Sequence, residues 1–176
     1  RYNTQGYRVP DAPNILLIKP DHIGDLFLAF PAVQALRTYW PDCKLTVVCA
    51  PGNIELAQNS GLFDEVRGFS FFAAMSENVK KPTSEIYSGI TAAVPEHYDI
   101  AIDMRHDDDT RPLLGYVSAD IKAGFDSQGS RYTPLDISLP QLQQNNPLYK
   151  NLHNIDRLNL LVARIASALR PPTDSP

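Results

Sequence analysis

Several features that define large classes of protein are scarce in this sequence. It has two cysteines, and these, Cys43 and Cys49, flank one predicted strand, so about 20 Å of extended chain excludes a disulfide between them. No apolar run approaches the roughly 20 residues of a membrane span, and no signal-peptide pattern opens the chain. The formal net charge of −4 comes with no basic stripe, which argues against a nucleic-acid partner. We therefore expect a protein of the reducing cytoplasm.

A glycine-rich phosphate-binding turn is missing as well. A Rossmann dinucleotide site requires Gly-x-Gly-x-x-Gly after its first strand, to seat a pyrophosphate on the helix that follows. Here the first turn contains only Gly24, with Asp25 beside it. A carboxylate there would repel a pyrophosphate, so we disfavour a dinucleotide enzyme. We also expect no cofactor and no resident metal.

The segment from Asn14 to Trp40 predicts a strand, a turn and a helix. The run Ile15–Ile18 is typical of an inner parallel strand that is buried on both faces. After a polar turn, apolar residues recur at helical spacing: Phe27, Phe30, Val33, Ala35 and Leu36. In open α/β sheets ligands bind beyond the carboxyl ends of the strands, so this turn is a candidate site.

Two roles are open for the Gly24-Asp25 pair in that turn. Gly24 allows a ligand to approach the backbone, or a dihedral angle that a Cβ would forbid. Asp25 is either a helix cap that accepts hydrogen bonds from free N–H groups or a general base that takes a proton from a substrate hydroxyl.

The remaining pattern predicts an α/β fold with a Rossmann-like parallel sheet flanked by helices. Residues 14–169 form the domain, 1–13 an arm or linker, and 170–176 the start of a further linker. The other predicted strands are Lys44–Cys49, Asp64–Phe69, Tyr98–Met104 and Ile121–Phe125. The other predicted helices are Ile54–Asn59, Ser84–Val94, Leu113–Val117 and Asn154–Leu169. The polar stretch Asp126–Asn151 is interpreted as a long loop.

A second candidate site follows the predicted strand Tyr98–Met104. Arg105, His106 and Arg111 lie among acidic residues there, and the position predicts that they face the same crevice as Asp25. The run Asp107–Asp109 is open to three interpretations: a divalent-metal site, a solvated acidic loop paired with the arginines, or part of an acceptor site.

Two residues of the first turn complete the candidate substrate-binding set. His22 either contacts substrate or tunes Asp25, if the turn folds it inward, or it is an exposed loop histidine. Lys19, like Arg105 and Arg111, either supplies positive charge to a phosphorylated or carboxylated acceptor or is an ordinary surface charge. Clustering in the crevice would favour the binding role.

The order of short motifs resembles the family nine glycosyltransferases, which include the lipopolysaccharide heptosyltransferases. The matching residues are Ile23-Gly24-Asp25, Pro31-Ala32, Ala35-Leu36, Pro41-Asp42 and Leu45-Thr46-Val47-Val48. Weaker likeness extends to segments 98–103, 121–125 and 153–158. The resemblance implies the amino-terminal half of a GT-B enzyme, in which Asp25 matches the proposed catalytic base.

That resemblance also implies partners and an activity. The chain is expected to be the acceptor-binding, base-carrying domain of an inverting glycosyltransferase that uses a nucleotide-diphosphate sugar and makes lipopolysaccharide or another bacterial cell-surface glycan. A second, carboxyl-terminal domain would hold most of the donor, so this chain alone is expected to be inactive. A glycolipid acceptor would bring it to the inner face of the plasma membrane. A non-catalytic Rossmann-like binding domain and a self-contained nucleotide-binding enzyme remain alternatives.

Overall fold

The core of the fold is a parallel sheet, as the sequence predicts, and it has six strands rather than the five predicted. The computed structural model describes residues 7–72, 82–126, 133–140 and 152–169. The strands are β1 (Asn14–Lys19), β2 (Lys44–Cys49), β3 (Glu65–Gly68), β4 (His97–Asp103), β5 (Ser118–Asp126) and β6 (Ile137–Pro140). Their spatial order is β3-β2-β1-β4-β5-β6, with every neighbouring pair parallel. This is the order of Rossmann-type sheets, in which the chain reverses direction across the sheet between β1 and β4.

The central position of β1 follows from its sequence. Side chains alternate between the two faces of a strand, and each face of β1 is apolar. Ile15 and Leu17 enter the core on one side, while Leu16 and Ile18 enter the core on the other, and all four are fully buried. Only a strand covered on both faces tolerates such a run.

Helices cover both faces of the sheet. They are α1 (Ile23–Phe27), α2 (Phe30–Tyr39), α3 (Ile54–Asn59), α4 (Ser84–Ser88), α5 (Ile90–Ala93) and α6 (Asn154–Leu169), with 3-10 turns at Pro51–Asn53 and Arg111–Tyr116. Buried residues of α2, α3 and α6 share one core with β1. Ile90 of α5 and the 3-10 turn Arg111–Tyr116 pack on the opposite face. None of the helices in the described ranges combines the length and hydropathy that a membrane crossing requires.

The prediction for α6 is confirmed at both ends. Its apolar residues recur at intervals of three and four, and the structure buries Leu158, Val162, Ile165 and Leu169 on one side. This helix packs against α2 and β6. Its first turn therefore reaches the carboxyl edge of the sheet, where the candidate site lies.

The single helix predicted after β1 is wrong, because two helices occupy that segment. Pro31 lies in the first turn of α2, where its missing N–H costs nothing. Farther inside one continuous helix its ring would clash with the carbonyl of the residue four positions earlier, so the helix ends and restarts. The break also turns Phe27 outward: Phe27 is 59% exposed, and Leu26 takes its place in the core at 1%.

The predicted helix Ser84–Val94 is interrupted in a similar way. Thr83 caps α4 by accepting a hydrogen bond from the Ile86 N–H, and the helix ends at Gly89 before α5 begins. Glycine is a weak helix former. A Cβ at Gly89 would lie 3.3 Å from the ring of Phe69, so packing against that ring favours glycine. The short helix predicted at 113–117 is instead a 3-10 turn that begins at Arg111.

Strand β6 lies inside the segment interpreted as a loop, and that interpretation is wrong for residues 137–140. β6 is an edge strand of four residues that ends in Pro140, and edge strands tolerate proline because one side needs no ladder hydrogen bond. Segments 127–132 and 141–151 lie outside the described residues, as do 1–6 and 170–176. The division into arm, domain and linker therefore stays a prediction.

Candidate functional site

A cleft opens at the carboxyl ends of β1 and β4, where the strand order reverses. Its empty volume, with the open mouth included, is about 450 Å³. Four polar residues define it: Lys19 ends β1, Asp25 lies in α1, Arg105 follows β4, and Arg157 comes from α6. The remaining lining residues are Leu28, Met104, His106, Asp107, Phe125, Asn154 and Leu158. The expectation that Asp25 and the segment after β4 share one crevice is confirmed.

The carboxylate of Asp25 has no partner among the described residues. Asp25 is the third residue of α1, and the N-cap position belongs to His22, whose side chain makes no capping bond. Asp25 is partly exposed, and no described residue donates a hydrogen bond to it or forms an ion pair with it. Asp25 is therefore not the N-cap residue of α1, and its interpretation as a helix cap is wrong. Asp25 lies instead inside the first turn of α1.

Gly24 is exposed beside Asp25, and its backbone needs no glycine for conformational reasons. Among the described residues the only positive φ belongs to Gly61, which lies just beyond the C-terminus of α3. A Cβ built at Gly24 would meet nothing within 4 Å. The dihedral interpretation of Gly24 is thus wrong, and close approach by a ligand remains the prediction.

Asp21 joins the two halves of the cleft through a buried ion pair. Its side chain is fully buried, and one carboxylate oxygen lies 2.6 Å from the Lys19 ammonium. The other oxygen accepts a hydrogen bond from the Arg105 guanidinium. The Asn53 side-chain amide donates to the Asp21 backbone carbonyl at 2.8 Å, which fixes the turn. One carboxylate therefore holds a cation from β1 and a cation from the segment after β4.

Arg105 has further carboxylate partners. Its Nε donates to Asp109 at 2.6 Å, and its Nη2 lies 3.0 Å from Asp107. The guanidinium also lies over the ring of Phe72, 4.8 Å from the centroid. Burial alone lowers the pKa of Arg105, but the hydrogen bond to Asp109 and the charge of Asp21 outweigh it and raise the pKa. Arg105 therefore stays charged, in a fixed position.

His106 and Arg157 form the opposite wall. The Arg157 guanidinium lies 3.3 Å from His106 Nε2, and the imidazole packs against the ring of Phe125 at 5.3 Å. Burial, and then the positive charge of Arg157, lower the pKa of His106. The ring is thus neutral at pH 7, and it contributes hydrogen bonds rather than charge to the cleft.

Arg111 does not face the cleft, which corrects its prediction as a substrate-binding residue. It is 1% exposed, and its guanidinium contacts the buried Asp103 carboxylate and donates to the Phe125 carbonyl. Asp103 also accepts from the Thr110 hydroxyl at 2.9 Å. Burial raises the pKa of Asp103 to about 6, although Arg111 opposes the shift. This interior cluster anchors the segment that carries Arg105 and His106.

His22 is the second predicted binding residue that the structure places elsewhere. It is exposed and does not line the cleft. Its ring stacks on Phe72 at a centroid distance of 6.3 Å. Since Arg105 also lies against Phe72, His22 reaches the cleft only through that ring.

The acidic run after β4 is paired with arginine. Asp107 and Asp109 both contact Arg105, as in the solvated-loop interpretation, while Arg111 pairs with Asp103 instead. In the ranges that the structure describes, no three His, Cys, Asp or Glu side chains come close enough together to hold a metal ion.

Sequence reasoning missed Asp21 and Arg157. Asp21 lies in the turn that was singled out, but the sequence does not indicate which polar side chain of a turn points inward. Arg157 precedes the buried Leu158 in the first turn of α6. The helical spacing predicted that turn, and only the packing of α6 on the sheet brings it to the cleft.

Comparison with known proteins gives likeness in fold. No protein-family model matches the sequence, and no curated protein matches it. Among solved structures, E. coli heptosyltransferase WaaC with ADP is 18% identical over 92% of this chain, with a TM-score of 0.64. The same enzyme with ADP-2-deoxy-2-fluoro heptose gives 0.67 at 18% identity and the same coverage of this chain. A glycosyl transferase family 9 structure from Veillonella parvula DSM 2008 gives 0.63 at 17% identity over 96% of this chain.

The chain spans about half the length of the solved structures it matches, 50% of WaaC and 44% of the Veillonella protein. The strand order and the flanking helices described above account for the likeness. In fold, this chain is similar to one half of a GT-B glycosyltransferase of the heptosyltransferase type.

Proposed function

We propose that this chain is the acceptor-side part of an inverting glycosyltransferase that uses a nucleotide-diphosphate sugar, and that Asp25 is its general base. One observation carries the proposal: the Asp25 carboxylate lies in the cleft without a partner among the described residues, while the other carboxylates around it are paired with cations. A general base must be free to accept a proton, and it must be within reach of the hydroxyl that loses it.

The proposed reaction is a single displacement at the anomeric carbon of the donor. The acceptor hydroxyl oxygen forms the new glycosidic bond as the bond from the anomeric carbon to the diphosphate oxygen breaks. The nucleoside diphosphate leaves with the electron pair, and the hydroxyl proton passes to Asp25. Attack from the face opposite the leaving group inverts the configuration at that carbon.

The other cleft residues would position the acceptor. Arg105 and Lys19 are held in place by Asp21, while His106 and Arg157 line the opposite wall. Fixing both reactants accounts for a large part of such catalysis, and it requires a donor site as well. We place most of that donor site in a second domain, since the similar enzymes are about twice as long. A glycolipid acceptor would bring the protein to the inner membrane surface.

The test is Asp25→Asn in the full natural protein, with Asp42→Asn as the matched control. The substitution keeps the size of the side chain and removes its ability to take a proton. We expect transfer from the nucleotide sugar to fall by roughly 100-fold or more, with donor affinity unchanged. Asp42 is exposed in the turn before β2, away from the cleft, so its change should leave the rate intact. A rate for Asp25→Asn within twofold of the natural protein would reject the general-base role and favour a non-catalytic binding domain.

A further inference from the structure

The charges around the cleft are balanced from within the protein. Three basic side chains approach it: Lys19, Arg105 and Arg157. Four carboxylates lie on or directly behind its walls, namely Asp21, Asp25, Asp107 and Asp109. His106, which also lines the wall, adds no charge at neutral pH because its pKa is lowered by burial and by Arg157. The described part of the site therefore has no surplus of positive charge.

Asp21 is the most important of these carboxylates because water cannot screen it. Its side chain is fully buried between Lys19, which is 8% exposed, and Arg105, which is 19% exposed. Ion pairs removed from solvent are screened far less than surface pairs. An incoming phosphate or carboxylate would have to compete with Asp21 for both cations, and for Arg105 also with Asp109 at 2.6 Å.

Hydrogen-bond donors nevertheless remain available. An ammonium group has three N–H donors, so the contact with Asp21 does not exhaust Lys19. The five N–H donors of Arg105 are shared among Asp21, Asp107 and Asp109, which leaves Arg105 few to offer. The Asp25 carboxylate adds acceptors nearby. Donors and acceptors without net charge match the hydroxyl groups of a sugar.

We infer that this cleft selects an uncharged, hydroxyl-bearing sugar as its acceptor, and that Asp21 sets this selectivity by neutralising Lys19 and Arg105. The inference rests on the proposed function only for the statement that the ligand is an acceptor. The charge balance of the cleft can be tested without any transfer reaction.

The first experiment measures the binding of inorganic phosphate to the natural protein, by NMR or calorimetry, at low and high salt. We expect no saturable binding below about 10 mM. Asp21→Asn should bind phosphate at least 10-fold more tightly, and added salt should weaken that binding. Asp42→Asn removes the same unit of charge far from the cleft, so it should leave phosphate binding unchanged. Equal phosphate binding by Asp21→Asn and Asp42→Asn would overturn the role of Asp21.

A second variant keeps the test decisive if Asp21→Asn does not fold. Asp109 is partly exposed, and Asp109→Asn removes another counter-charge from Arg105 with little effect on packing. Asp109→Asn should also bind phosphate more tightly than the natural protein, by a smaller factor than Asp21→Asn. Millimolar or tighter phosphate binding by the natural protein, lost in Arg105→Gln, would show that the site is built for anions and would overturn the inference.

The third experiment compares two acceptors that differ only in a phosphate group. We expect the neutral sugar to have a kcat/KM at least 10-fold above that of its phosphorylated form, and Asp21→Asn to narrow the gap. A preference of the natural protein for the phosphorylated sugar would contradict the inference. If the protein binds the donor but transfers to neither sugar, the proposed function fails. The phosphate-binding measurements would still show whether Asp21 neutralises Lys19 and Arg105.

Discussion

Cys43 and Cys49 illustrate how burial decides chemistry at the scale of single residues. Both are free thiols in the core, and burial raises the pKa of Cys49 to about 11 and also raises that of Cys43. The thiolate is the reactive form, so alkylation by iodoacetamide at pH 8 should be slow in the folded protein and at least 100-fold faster in denaturant. Mass spectrometry of the labelled peptides gives both rates. Rapid labelling of Cys49 under native conditions would contradict its placement in β2.

Position along the chain predicted some residues of the site and not others. Lys19, Asp25 and Arg105 follow strands that the sequence identifies, and the carboxyl edge of a parallel sheet brings such residues together. Arg111 follows the same strand as Arg105 but points inward, because Asp103 at the end of β4 offers it a buried partner. The sequence does not show which of two nearby arginines will meet that carboxylate.

At the scale of secondary-structure elements, β4 and β5 approach closely at the base of the cleft. Gly124 of β5 is in register with Asp103, and a Cβ there would lie 3.2 Å from the Asp103 carbonyl oxygen and 3.4 Å from Arg111 Nη2. Gly124→Ala should therefore lower the free energy of unfolding by about 1–3 kcal/mol, as overpacking does. Chemical denaturation measures this change.

The matched control for that prediction is Gly52→Ala. A Cβ at Gly52 would meet nothing within 4 Å, and its φ is not positive. This change should leave the free energy of unfolding within about 0.5 kcal/mol of the natural value. Equal effects of the two substitutions would mean that β4 and β5 are not packed as closely as described.

The elements predicted best from the sequence are those whose pattern of apolar residues alone specifies a strand or a helix. β1 and β2 are apolar runs, and α6 has a clear helical spacing, so tertiary context had little left to decide. The break between α1 and α2 was missed because helical spacing continued across Pro31. β6 was missed because four residues in a polar stretch gain strand geometry only by pairing with β5.

At the scale of the whole molecule, the division of labour between two domains is the part of the proposal most open to test. We expect this chain alone to bind nucleoside diphosphates more weakly than 1 mM, because the first turn lacks a glycine-rich phosphate motif and the described residues of the cleft carry no surplus positive charge. If the natural protein continues beyond Pro176 into the proposed second domain, that longer form should bind them at micromolar concentration. Titration calorimetry with ADP and related nucleotides compares the two. Micromolar binding by this chain alone would favour the self-contained nucleotide-binding enzyme.

The central position of β1 has a consequence for folding. Although β1 is an early segment of the chain, one of its two edges pairs with β4, so that Ile15 meets Ile100. During synthesis β1, β2 and β3 emerge before β4, so the apolar β1 presents an open edge until β4 follows. Contacts between segments so distant in sequence form slowly, and unpaired apolar edges promote aggregation. Of the strands described, β1, which carries Lys19 and leads to Asp25, therefore waits longest for a neighbouring strand to be synthesised. Until β4 is made, the exposed edge of β1 depends on whatever shields it in the cell.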